Sequence, residues 1–154
     1  MNVVLIGYRG TGKSTVAQIV ARNLGWEALS LDQMIVQKAG KAIPKIVDEL
    51  GWEYFRDLES EVVVETAGRD KVVLDCGGGV ILRAANVQAL KDKGKVFLLT
   101  ATPDTIVSRI KEDTNRPALI QGKTFLEEIA EVLESRNPLY RAAADVQIAT
   151  DDKT

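Results

Sequence analysis

Eight consecutive residues near the amino terminus, Gly7-Tyr8-Arg9-Gly10-Thr11-Gly12-Lys13-Ser14, complete the pattern G-x-x-x-x-G-K-S. Glycines at this spacing let the backbone wrap tightly enough for successive N–H groups to point at phosphate oxygens. A helix that starts at the end of the loop adds the positive end of its dipole to the same phosphates. Lys13 then reaches the β- and γ-phosphates, and the Ser14 hydroxyl is a ligand for Mg²⁺. Gly10, Thr11, Gly12 and Thr15 belong to the same phosphate-binding stretch. The pattern predicts a nucleoside triphosphate site with Mg²⁺ beside it. By itself it does not separate a GTPase, a motor ATPase and a small-molecule kinase. A chain of 154 residues leaves little room for motor attachments, and it has no N-K-x-D guanine motif.

Other residues have the right chemistry but admit two readings each. Val72-Val73-Leu74-Asp75 is an apolar run ending in a carboxylate, the form that holds Mg²⁺ in many phosphate-loop enzymes; Asp75 equally suits a turn or a helix cap. Arg56 carries a planar fork matched to a carboxylate, or it pairs on a helix surface with Glu53 or Glu59. Arg136 is a second such fork, or a cation at a helix end stabilised by the dipole. Gly77-Gly78-Gly79 is either a plain turn or a place where backbone closely approaches a ligand. Arg116 lies in a polar stretch, residues 112–123, long for a simple connector, and is either a solvated loop charge or a cation for the transferred phosphate.

The elements that must position these groups follow from the hydrophobic pattern. Val3 to Ile6 is an apolar run of the buried-strand kind. A helix follows over Ser14 to Leu24, with Val16, Ile19, Val20 and Leu24 as its apolar face and Gly25 as its stop. Trp26 to Leu31 is a second strand. Helices over Asp32 to Ala39 and Ile43 to Leu50 stop at Gly40 and Gly51. Another fits Glu53 to Ala67, with Phe55, Leu58, Val62 and Thr66 on one face. Lys71 to Leu74 is strand three, Ala84 to Lys93 a helix and Lys95 to Thr100 strand four. Helices near Asp104 to Lys111 and from Phe125 to about Arg136 precede strand five, Asp145 to Ala149. Strands alternating with helices predict an α/β fold, a three-layer phosphate-loop NTPase architecture with five parallel strands. Ligands in such sheets bind at the carboxyl ends of the strands. After strand five only Thr150-Asp151-Asp152-Lys153-Thr154 remain, so no final helix is expected over that edge.

Composition removes several alternatives. Twenty basic side chains face twenty-two acidic ones, a net charge of −2 that argues against a protein that coats nucleic acid or an anionic membrane. The single cysteine, Cys76, permits no internal disulfide. The absence of histidine removes every Ser-His and Cys-His nucleophile scheme. No apolar run approaches the ~20 residues of a membrane span, and Met1 to Ile6 lacks a signal peptide's basic start. The expectation is one cytoplasmic domain over residues 1–154.

Taken together, the phosphate loop, the Asp32 segment, Phe55-Arg56-Asp57-Leu58-Glu59, Cys76-Gly77-Gly78-Gly79-Val80, Asn115-Arg116-Pro117 and Arg136-Asn137-Pro138-Leu139-Tyr140 resemble shikimate kinase, in order and over essentially the whole chain. The resemblance implies a nucleoside monophosphate kinase-like fold and transfer of the ATP γ-phosphate to the 3-hydroxyl of shikimate, in aromatic amino acid biosynthesis, by a monomer. It implies that residues 32–67 form substrate-binding helices and residues 112–123 a lid. Lys13, Asp32 and Arg116 become the catalytic set; Asp32, Arg56, Gly77, Gly78, Gly79 and Arg136 hold the substrate; Arg109 matches a position that packs against adenine, with a surface charge as its other reading. One departure stands out. The family's Asp-x-Asp after strand two is Ser30-Leu31-Asp32 here, so a hydroxyl replaces the first aspartate, and Asp75 becomes the carboxylate expected to support magnesium beside Ser14. A gluconate-type kinase and a nucleotide-binding relative without turnover are the competing readings.

Overall fold

A computed structural model describes residues 1–8, 11–102, 105–106 and 125–150, with side chains of the last segment from residue 129. Five strands carry the frame: β1 (Asn2–Ile6), β2 (Glu27–Ser30), β3 (Val72–Asp75), β4 (Gly94–Thr100) and β5 (Val146–Ala149). All pair in parallel, in the order β2-β3-β1-β4-β5. The middle strands are apolar without alternation because both faces are covered: Val4, Leu5, Ile6, Val72, Val73 and Leu74 are all buried. The chain passes outward from β1 to β2, returns to β3, then crosses to β4. That reversal leaves a crevice beside β1 and β3 at their carboxyl ends.

The helices are α1 (Lys13–Leu24), α2 (Leu31–Ala39), α3 (Ile43–Ala67), α4 (Ala84–Lys93) and α5 (Phe125–Ala143), with a 3₁₀ turn at Val80–Leu82. Gly25 and Gly40 end α1 and α2 in the left-handed region, as their placement predicts. Gly51 interrupts α3 with φ 89°, dividing it at the expected point into two helical arms. On the second arm Phe55, Leu58, Val62 and Thr66 are buried, which is the predicted face. No helix among the described residues is long and apolar enough to cross a membrane.

Two expectations are corrected. The buried side of α1 is Lys13, Ala17 and Ala21, while Ile19 is 47% and Leu24 46% exposed. Small alanines let the helix lie close to Leu5 and Val73, with Val16 and Val20 only flanking that contact. α5 does not end near Arg136 but runs through Pro138 to Ala143. Proline removes one backbone bond and is costly inside a helix. The two turns beyond Arg136 are held nonetheless, because Tyr140 and Ala143 are buried in the main core. Of the expected helix over 104–111, Thr105 and Ile106 are helical; the remainder and segment 112–123 lie outside the described residues.

Candidate active site

The loop after β1 turns sharply because Gly7, at φ 142°, lies against β4: a Cβ there would collide with the Leu99 carbonyl. Gly12, at φ 96° and ψ 14°, delivers the chain into α1. Lys13 Nζ donates to the carbonyls of Gly7 at 2.8 Å and Tyr8 at 2.9 Å, so the ammonium arches over the loop it belongs to. Thr11 Oγ1 donates to Tyr8 O at 2.7 Å. Thr15 is exposed on the first turn of α1.

One residue later, Ser14 Oγ donates to Asp75 Oδ2 at 2.8 Å. Asp75 is the last residue of β3, in register with Leu5 of β1 and Ser30 of β2. Its carboxylate therefore faces Ser14 across the crevice rather than capping a helix. Burial holds the Asp75 carboxyl above its ordinary value; Lys13 and the Ser14 hydroxyl act against this, and Asp32 adds to it. Lys13, Ser14, Asp32 and Asp75 thus share one electrostatic neighbourhood. The pairing of a hydroxyl with a carboxylate suits a hard, oxygen-binding cation such as Mg²⁺. Among the described residues there is no group of three or more His, Cys, Asp or Glu side chains that would hold a metal without further ligands.

Ser30, where the resemblance leads one to expect an aspartate, caps a helix. Its hydroxyl accepts from Gln33 N at 3.3 Å and caps α2, with Asp32 in that helix's first turn. The cap fixes where Asp32 leaves the sheet.

Beyond Asp75 the chain runs through Cys76, whose thiol is buried and pushed well up by that burial, into the three glycines. Arg56 stands over the last of them. A Cβ at Gly79 would fall on the Arg56 guanidinium. That group is pinned from other sides by a 3.0 Å ion pair with Glu59 and by the rings of Trp52 and Phe55, whose centroids lie 5.3 and 5.1 Å away. The pair is not the helix-surface pair expected as one reading: Glu59 is 0% exposed. Glu53, the other candidate partner, bonds Arg83 at 3.2 Å instead.

Arg136 does not cap a helix end either, because α5 continues for two more turns and the dipole reading no longer applies. Its residue exposure is 9%, and it makes no hydrogen bond or ion pair with any described residue. One turn further along α5, the Tyr140 hydroxyl donates a short hydrogen bond to Gly78 O. The helix that carries Arg136 is thereby fastened to the glycine segment that packs on Arg56. Gly10, Arg109 and Arg116 lie outside the described residues.

The family model described as shikimate kinase matches residues 9–154 of this chain. Shikimate kinase of Thermodesulfovibrio yellowstonii is 40% identical over 153 residues, covering 99% of this chain and 87% of the relative. That of Dehalococcoides mccartyi is 37% identical, covering 99% and 86%. The chain belongs to the shikimate kinase family.

Solved structures agree with this membership. Shikimate kinase from Acinetobacter baumannii in complex with shikimate superposes with a TM-score of 0.91 at 37% identity, over 96% of this chain and 82% of that one. Shikimate kinase from Bacteroides thetaiotaomicron gives a TM-score of 0.89 at 29% identity, over 99% and 88%. Against this family background, three residues of the site were not singled out from sequence. Arg83 ties its guanidinium to Arg56 O, Ser60, Glu53 and Asp57, bracing the arm of α3 that carries Arg56. Tyr140 reaches Gly78, and Thr150 reaches the phosphate loop. Only Tyr140 had a signal, its place in the R-x-P-L-Y run; the contacts of the other two arise from chain topology.

Proposed function

We propose that this protein is a shikimate kinase that transfers the γ-phosphoryl group of ATP to the 3-hydroxyl of shikimate. The observation that carries this reading is the dual use of one strand end. Asp75 bonds Ser14 in the phosphate loop, while Gly78 and Gly79, three and four residues later, meet α5 and Arg56. In this reading one short segment serves both a phosphate site and an anion-reading site.

In this reading Gly10, Thr11, Gly12 and Thr15 line the phosphates, with Arg109 against adenine. Lys13 leaves its loop carbonyls for the phosphoryl oxygens, where its charge offsets that of the transferred group. Ser14 and Asp75 would hold Mg²⁺, the Asp75 carboxylate accepting from the Ser14 hydroxyl. When bound, Mg²⁺ supplies charge neutralisation at the β- and γ-phosphates. Arg56 and Arg136 take the substrate carboxylate, and Gly77 to Gly79 offer backbone without side chains beside the ring. α2 and α3 are the substrate-binding helices, and they set the acceptor opposite the loop. Asp32 orients the 3-hydroxyl and takes its proton as the new O–P bond forms and the bond to the ADP oxygen breaks. Residues 112–123 act as the lid, with Arg116 over the phosphates, excluding water that would otherwise accept the phosphoryl group.

The test is ADP release from MgATP with shikimate, with gluconate and with no acceptor. Shikimate-dependent release that is lost in Asp32→Ala supports the reading. Release with gluconate alone would make this a different hydroxy-acid kinase, and ATP binding without acceptor-dependent release would make it a relative without turnover.

A further inference from the structure

Three carbonyls of the phosphate loop, those of Gly7, Tyr8 and Thr11, are held from within the protein. Lys13 Nζ takes Gly7 O and Tyr8 O, and Thr11 Oγ1 takes Tyr8 O. The carbonyl of Thr11 itself is taken by a residue far along the chain: Thr150 Oγ1 donates to Thr11 O at 2.7 Å. Thr150 directly follows β5 and is 4% exposed. Its backbone N–H donates to Thr100 O at 2.7 Å, which seats it on the end of β4. The hydroxyl also lies 3.1 Å from Thr100 O. That carbonyl already has the backbone donor, and the shorter contact to Thr11 is the better hydrogen bond.

The consequence follows from peptide geometry. No described peptide bond is cis. In a planar trans peptide the carbonyl of one residue and the N–H of the next point in opposite directions. A hydroxyl that draws Thr11 O toward β4 and β5 therefore turns the Gly12 N–H away from those strands. Gly12 has no side chain to fix its own orientation, and its left-handed backbone is open to alternatives that other residues avoid.

We propose that Thr150 is a positioning residue for the nucleotide phosphates: its buried hydroxyl fixes the Thr11–Gly12 peptide so that the Gly12 N–H faces the phosphate. The proposal rests on the reading above that ATP occupies this loop, and it predicts an effect confined to the nucleotide side.

The experiment compares the full chain with Thr150→Ser, which keeps the hydroxyl, and Thr150→Val, which keeps the shape without it. MgADP affinity is measured by calorimetry, and KM is measured separately for ATP and shikimate. Thr150→Val is expected to weaken MgADP binding and raise the ATP KM by about 3- to 10-fold, the range a single hydrogen bond's net contribution spans. The shikimate KM stays unchanged, and Thr150→Ser behaves as the parent. Unaltered MgADP binding in Thr150→Val overturns the proposal. So does an equal loss in the Ser and Val variants, or an equal rise in both KM values, since either would mark a merely structural role. If Thr150→Val does not fold, Thr150→Ala is judged by the same criteria. A parent chain that binds no MgADP overturns the underlying reading itself, an outcome distinct from any of these.

Discussion

At the phosphate end of the proposed site, the run Gly7 to Ser14 supplies glycines, an ammonium and a hydroxyl within one stretch of chain, and its described polar groups are tied to near neighbours or to the adjoining strand ends. At the acid end, Arg56, Gly79 and Arg136 come from α3, the segment after β3 and α5. The two arginines there are also held differently. Arg56 is locked by a buried carboxylate and two aromatic rings, whereas Arg136 is nine-tenths buried with no ionic or hydrogen-bonding partner among the described residues. A phosphate recurs in the same shape in every nucleotide, so a preformed local cradle serves it. A small polyhydroxylated acid needs convergence from several directions, and the fold must provide that convergence.

Breaking the phosphate end should have the largest effect. Lys13→Met is expected to lower turnover by on the order of 10³-fold, because the charge acts on the transferred group itself. A steady-state rate within tenfold of the parent would remove Lys13 from the transfer step. At the acid end, Arg56→Met and Arg136→Met should each raise the shikimate KM by about 10- to 100-fold, the range of a charged hydrogen-bonding partner. Stability sharpens the contrast between them. Arg56→Met removes the guanidinium that pairs with the fully buried Glu59 and should cost about 3–5 kcal/mol in denaturant unfolding, while Arg136→Met breaks no ion pair among the described residues and should unfold near the parent midpoint. Equal stability losses would refute the difference in support.

Asp75→Asn probes the seam between the two ends, and its effects on activity and stability should have opposite signs. It should raise the Mg²⁺ concentration needed for half-maximal rate; an unchanged titration would leave Asp75 without a metal role. The Asp75 carboxyl lies above its ordinary value of 3.8, chiefly through burial. A carboxyl raised in the folded state contributes stability that is present below the unfolded value and lost as pH rises through the folded one. The uncharged variant should therefore gain stability relative to the parent as pH rises through that window, and match it below. The smallest effect is expected from Tyr140→Phe, a rise of about 2- to 5-fold in shikimate KM with ATP KM unchanged, since one hydrogen bond to Gly78 O is lost. A matching rise in ATP KM would show that α5 braces both ends alike.

Much of this was legible in the residues, and what was not has identifiable causes. The phosphate loop could be read because its chemistry is contiguous, and the β1, β3 and β4 runs because strands covered on both faces carry no alternation. Gly25 and Gly40 announced helix ends through a backbone region that few other residues enter. The face of α1 differs from the one that the helical spacing of Val16, Ile19, Val20 and Leu24 implies, because the sheet selects Ala17 and Ala21 for close approach. α5 runs beyond the expected end near Arg136 because the burial of Tyr140 and Ala143 holds the helix past Pro138. Arg56 could be seen as a carboxylate fork, but the depth of its pairing with Glu59 is a property of the packed core. Thr150 gave no signal at all. It meets Thr11 across 139 positions, through a strand order that one sequence does not display.

In the proposed site two arginines read a carboxylate beside the phosphate loop. Calorimetric titration of the MgADP-loaded protein with shikimate and with its uncharged methyl ester tests this most directly. The account predicts that shikimate binds about 10- to 100-fold more tightly than the ester, as a charge-assisted clamp requires. Equal affinities for acid and ester would contradict it.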